Sequence, residues 1–181
     1  MQTGGDTAFV GLVRRAYSGD ARAGELTWKN NFYLERGPYD IISVLDENKD
    51  SKPYVVWGPV IDLFDPTLPA LGQKTVQPGE QSVLYDLSRV ADKQGPRVLA
   101  AASRTYDAKA TAHSYAFVAR SPVNTENSMR VLLPARPVRV DVTDAAGHPL
   151  ADVRSSWDEV SHTEYLGFAN SPEGVRVRLS W

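Results

Sequence analysis

The chain has 181 residues, an ordinary balance of 42% apolar and 23% charged residues, a net charge of −2 and no cysteine. That length suits one domain able to bury roughly 70% of its unfolded surface, so folding needs no disulfide or metal. The composition argues against disorder, and the missing thiols exclude disulfides, thiolate metal sites and a cysteine nucleophile. Nucleic acid is not an expected partner. Residues 1–90 carry nine Lys and Arg against twelve Asp and Glu, residues 91–181 eleven against ten, and neither half holds the basic stripe that a phosphate backbone requires. The longest apolar runs, such as Val55-Val56-Trp57, are too short for a membrane span.

In chain order, Met1 to Thr7 lacks a charged segment followed by an apolar one, so it is not read as a signal peptide. It is read instead as the cut end of a larger protein carrying an added Met. Short β-rich runs follow, separated by Gly, Pro, Asn and Asp at intervals of about 8–14 residues, the spacing of a sandwich or barrel. The predicted strands are Phe9–Tyr17, Glu25–Leu34, Tyr39–Asp46, Tyr54–Phe64, Gln81–Leu87, Arg97–Tyr106, His113–Ala119, Met129–Leu133, Val138–Thr143, Val153–Glu159, Thr163–Phe168 and Val175–Trp181. The only helix candidate is the short run from Asp86 to Ala91.

Alternation in the second run puts Leu26, Trp28, Phe32 and Leu34 on an inward face and Glu25, Thr27, Lys29, Asn31 and Tyr33 on the other. The last run turns Val175, Val177, Leu179 and Trp181 inward and Arg176, Arg178 and Ser180 outward. Tyr54 to Ile61 is apolar on both faces. It reads as a central strand covered on both sides, with Gly58-Pro59 forcing a bulge or break. Glu35 to Pro38 makes a reversal, and Asp144 to Gly147 a hairpin-type turn. The expected fold is all-β: a two-sheet antiparallel β-sandwich of jelly-roll or Ig-like Greek-key type, with about 10–12 strands. Residues 1–181 form one domain, in which 137–181 is a closing subunit.

No nucleophile motif is present, and His113, His148 and His162 have no metal-ligand spacing. Asp62/Asp65 and Asp158/Glu159 are acid pairs of the type glycoside hydrolysis uses, but such pairs also serve as turn starters. The chain is therefore expected not to be an enzyme. Asp46, Asn48 and Asp50 alternate as in a calcium loop, although the glycine at position six and the distal Glu are missing; the other reading is a polar hairpin loop, so Ca²⁺ stays open as a cofactor. Exposed aromatics flanked by amides can stack on and bond a sugar. Tyr33 with Asn31 on a polar face, Trp57 on the doubly apolar strand and Trp157 on a polar late strand are the candidates, with plain packing the alternative for each. Trp28 and Trp181 fall on predicted core faces.

Asn31 to Ile42, with its Glu35-Arg36-Gly37-Pro38-Tyr39-Asp40 centre, and Gly58 to Pro66 are similar to segments of ancillary β-sandwich domains in large bacterial proteins of glycan breakdown. Asn170 to Trp181 resembles the closing strand of C-terminal β domains in glycoside hydrolases. The resemblance implies a non-catalytic carbohydrate-binding module covalently linked to a catalytic domain of a secreted bacterial parent, extracellular or periplasmic, with a polysaccharide or oligosaccharide as partner. The alternative is a structural β-sandwich spacer packed against that catalytic domain without a ligand.

Overall fold

The computed structural model describes residues 4–46, 52–90 and 95–181. The first element corrects the sequence reading. Gly4–Arg14 is an α-helix (α1) that runs into a π-helical stretch, Arg15–Asp20, in place of the expected strand Phe9–Tyr17. The β-branched and aromatic residues there suggested a strand, but Phe9, Leu12 and Val13 follow helical spacing. Residues 21–30 are irregular, so the expected strand Glu25–Leu34 begins only at Asn31.

Thirteen strands follow among the described residues: β1 (Asn31–Arg36), β2 (Tyr39–Val44), β3 (Tyr54–Asp62), β4 (Ala70–Val76), β5 (Gln81–Asp86), β6 (Arg97–Ala101), β7 (Arg104–Ala110), β8 (Ser114–Arg120), β9 (Glu126–Leu132), β10 (Arg139–Thr143), β11 (Arg154–Asp158), β12 (Thr163–Ala169) and β13 (Val175–Ser180). A short 3₁₀ turn, Leu87–Arg89, falls where the one expected helix candidate lay. The all-β, antiparallel character agrees with the sequence, but the strands form three sheets rather than two. The orders are β1-β2-β5-β3-β4, β11-β12-β9-β6 and β10-β13-β8-β7.

The three sheets make three layers. The third sheet packs on one face of the second through Phe117, Val177 and Leu179 against Met129, Val131, Leu166 and Phe168. The first sheet packs on the opposite face of the second, where Ile61, Leu63, Leu68, Tyr85, Leu87 and Val90 meet Leu99, Ala100, Leu132 and Tyr165. The second sheet is therefore the middle layer, and six of the seven residues of β12 are buried. Arg130 on β9, itself buried, donates from Nε to the Leu68 carbonyl at 2.9 Å across the junction and lies 5.6 Å from the Tyr165 ring centre. A charge-assisted bond to a carbonyl with little access to water is among the stronger polar contacts a fold can make.

The first sheet also has a core of its own, Ile42, Val44, Val56, Val60, Val76 and Leu84. β3 serves both cores. Val60 and Ile61, adjacent in sequence and both fully buried, point to opposite sides of the strand, as its doubly apolar sequence indicates. Pairing of β3 with β4 shifts register between Trp57 and Val60, and the Gly58-Pro59 peptide there is cis. The β1–β2 hairpin turns at Gly37 with φ 59°, where the reversal was expected. β13 buries Val175, Val177 and Leu179 and exposes Arg176 and Arg178, as alternation predicts.

Three exposures run against the sequence. Phe32 and Leu34, expected inward, are exposed on β1, an edge strand, and Trp28 is exposed in the irregular segment before it. Alternation grouped Phe32 with Leu34 correctly, but among the described residues no other layer covers the part of the sheet they face.

A side chain at Gly58 has no room. A β-carbon there would lie 2.3 Å from the Leu71 carbonyl oxygen and 2.7 Å from the Val60 nitrogen, both backbone atoms. Gly58→Ala is expected to cost about 1–3 kcal/mol, the range for crowding a site that cannot expand. A urea midpoint equal to that of the parent would show that the β3–β4 bulge yields freely.

Candidate functional site

Trp57 is the most exposed of the four tryptophans, at 75%, and its environment follows from the topology. β3 pairs with β5 only through Val60, Ile61 and Asp62, so among the described strands its first half, Tyr54 to Trp57, pairs with edge strand β4 alone. The result is a two-stranded ribbon. Trp57 stands directly opposite Gln73, which is also exposed, so an indole face and an amide able to bond hydroxyls are cross-strand neighbours. Trp57 was legible in the sequence as an ambiguous aromatic. Gln73 was not, because only the register reveals its position.

Tyr33 and Asn31 lie on β1, opposite Ile42 and Val44. The sheet curls so that β1 approaches the start of β3. Asn30 Nδ2 donates to the Lys52 carbonyl at 2.9 Å, and the Tyr33 and Tyr54 ring centres are 5.6 Å apart. The Tyr33 hydroxyl lies 2.9 Å from Asp40 Oδ1 and 3.0 Å from Glu35 Oε1. Both carboxylates are also held by the Arg89 guanidinium, at 3.1 Å to Asp40 and 2.8 Å to Glu35, and its Nε meets Asp86 at 2.9 Å. Burial, together with donation to Asp40, pushes the Tyr33 phenol well above its ordinary range, so it stays a neutral donor. The cluster ties the β1–β2 hairpin to the turn after β5, and Tyr33 is thereby committed to an internal network.

Trp157 is in another sheet. It packs half-buried against the sandwich core, donates from Nε1 to Glu159 at 2.6 Å and meets the His162 ring edge-on at 5.9 Å. The expected sugar-binding residues thus do not share one face: Tyr33 and Asn31 sit on β1, Trp57 on the β3–β4 ribbon and Trp157 on β11.

The acid pairs have structural partners. Asp62 is buried, accepts from Lys74 Nζ at 2.7 Å and from the Phe64 backbone N–H at 3.0 Å. Asp65 accepts the Thr67 N–H and hydroxyl, and these bonds hold its carboxyl below the usual range. Asp158 accepts from the Ser161 N–H at 2.7 Å. Of the expected calcium ligands, Asp46 is exposed beside Gly79, and Asn48 and Asp50 lie outside the described residues. Among the described residues no three of His, Asp and Glu are grouped to hold a metal ion. No helix among them is long and apolar enough to cross a membrane.

Concavities border the first sheet on more than one side. A cleft of about 540 Å³ between the first and second sheets is walled by Pro59, Leu87, Val90, Leu132, Pro134 and His162, among others. A groove of about 440 Å³ runs over the outer face of the first sheet, lined by Phe32, Leu34, Ile41, Phe64 and Val83. The groove is mainly apolar, the cleft adds Ser161 and His162 to its apolar wall, and a further concavity of about 540 Å³, walled by Tyr39, Leu63, Leu68 and Leu99, carries the acids Asp65 and Glu126.

No family model matches the chain, and neither a curated protein nor a solved structure matches it.

One buried acid stands apart from these surfaces. Glu164, on β12, shares the sandwich-facing side with Leu166 and Phe168; one carboxyl oxygen is bonded by the Ser155 hydroxyl and the other has no hydrogen-bond partner among the described residues. Burial raises its pKa above the ordinary 4.5, against the opposing pull of Ser155, Arg130 and Arg136. The folded protein therefore keeps this proton at pH values where the unfolded chain has released it. The stabilisation is full below about pH 4.3 and is lost as pH rises through the folded pKa. Glu164→Gln removes the titration, so its urea midpoint should gain on the parent's as pH rises from about 4 to 8. A difference that stays flat across that range would contradict a buried, titrating carboxyl.

Proposed function

We propose that this chain is a non-catalytic β module that binds carbohydrate, with the Trp57–Gln73 ribbon as its contact surface, and that it serves an exported bacterial enzyme of glycan breakdown. The observation that carries this reading is the 75% exposure of Trp57 beside an exposed cross-strand amide. A flat indole stacks on the apolar C–H face of a pyranose, and a neighbouring amide bonds its hydroxyls. The non-catalytic part is supported by the acids: Asp62, Asp65 and Asp158 each accept hydrogen bonds within their own turns. Tethering such a module to an enzyme raises the local concentration of enzyme at its polymer.

A specific observation favours a second reading, a structural module packed against a linked catalytic domain. The groove over the first sheet is lined by Phe and aliphatic side chains, which suit protein packing better than sugar hydroxyls.

Affinity electrophoresis in gels containing plant or microbial polysaccharides tests the first reading. At least one polymer should retard the chain. Trp57→Ala should weaken retardation by about tenfold or more, a loss of ~1.4 kcal/mol of stacking. Gln73→Ala should weaken it less, and Trp157→Ala should leave it unchanged because that ring is packed. Free migration in every polymer would discard carbohydrate binding in favour of packing.

A further inference from the structure

Two bare apolar surfaces are present, and they match. The first is on α1 and its π-helical continuation. Phe9, Leu12 and Val13 share a helix face that continues into Ala16 and Tyr17, and none of residues 6–30 is buried. A helix with an apolar stripe gains most of its stability by packing that stripe, so one left uncovered lacks its main support.

The second is the outer face of the first sheet. Register places Leu34, Ile41 and Val83 side by side across β1, β2 and β5, with Phe32 in the next row and Phe64 at the border of the same groove. Phe32 is 67% and Phe64 61% exposed. Farther along the same face Tyr85, Ile61 and Leu63 pack against the second sheet. The bare patch is thus the unfilled continuation of a packed interface.

We propose that this face is a dimer interface, in which the N-terminal helix of a second copy of the chain seats on β1, β2 and β5, reciprocally in both copies. The dimensions agree. Three strands spaced about 4.8 Å apart give a width that one helix covers, and the two bare rows, Phe32–Ser43–Gln81 and Leu34–Ile41–Val83, offer about 7 Å along the strands, roughly the rise between Phe9 and Val13. On the helix stripe Phe9 is 64% and Leu12 58% exposed. The helix is tethered to β1, the edge strand bordering the face, by irregular residues 21–30. Exchange of such a tethered element between identical chains is a low-cost route to a two-fold dimer and uses both bare surfaces of each copy. A net charge of only −2 leaves little repulsion between copies.

The absence of native cysteine permits a direct test. Ala8→Cys, at the rim of the helix stripe, and Gln81→Cys, on the sheet face, are made in separate chains, mixed, and treated with a short bismaleimide. A cross-linked heterodimer should form. It should be much weaker when Ala8→Cys is mixed with Val138→Cys, at a position 84% exposed and away from the groove. Sedimentation of the unaltered chain should give twice the mass of one chain at concentrations on the order of 100 μM, where a Kd of ~10 μM leaves mostly dimer. Leu12→Asp should return it to monomer with an unchanged strand signal in circular dichroism. A monomer at that concentration overturns the proposal, and so does cross-linking confined to single chains carrying both cysteines, which would place the helix on its own sheet.

Discussion

A middle sheet covered on both faces is the constraint from which the remaining architecture follows. β9 and β12 send Met129, Val131, Leu166 and Phe168 to one side and Leu132 and Tyr165 to the other, and both sets are buried. Each such side chain contributes about 1.5–3 kcal/mol only if its own side is dry, so neither outer sheet can leave without exposing half of the central layer. β3 repeats this on a smaller scale, with Val60 closing the core of the curled first sheet and Ile61 joining that sheet to the middle one. Arg130 adds direction to an otherwise non-directional contact, since its bond to the Leu68 carbonyl is met in one register of the two sheets.

The same constraint explains where the exposed surfaces are. The middle sheet covers only part of the outer face of the first sheet, so the row Leu34–Ile41–Val83 runs out from beneath it. The first half of β3 extends past its pairing with β5, and Trp57 is left on a ribbon with one neighbour. The aromatic available to a sugar and the patch available to a second chain thus both arise where a layer ends. Tyr33 shows the reverse case. It lies on an exposed strand, yet Asp40, Glu35 and Arg89 draw its hydroxyl into an internal clasp.

Much of the fold was legible residue by residue. The twofold alternation of Val175 to Ser180 and the turn residues at Gly37 and Gly147 each state a local requirement and appear in the structure as expected, whereas the doubly apolar run at Tyr54 to Ile61 is covered on both sides only at Val60 and Ile61, with Trp57 left 75% exposed. The helix at Gly4–Arg14 was missed because its Val and Phe residues have strand propensity, while the spacing of Phe9, Leu12 and Val13 carries the opposite message. The candidate site was less legible. Trp57 could be named but not oriented, and Gln73 could not be named at all, because its role comes from a cross-strand partner remote in sequence.

By itself the sequence determined the strand character, the turns and which side chains share a face, because these depend on backbone sterics and a period of two along the chain. Tertiary structure alone decided that there are three sheets rather than two, that Phe32, Leu34 and Trp28 remain in water, and that Trp57 stands beside Gln73 while Trp157 packs elsewhere. The physical reason is that alternation fixes the two faces of a strand relative to each other, whereas burial is fixed by whether another layer arrives to cover one of them.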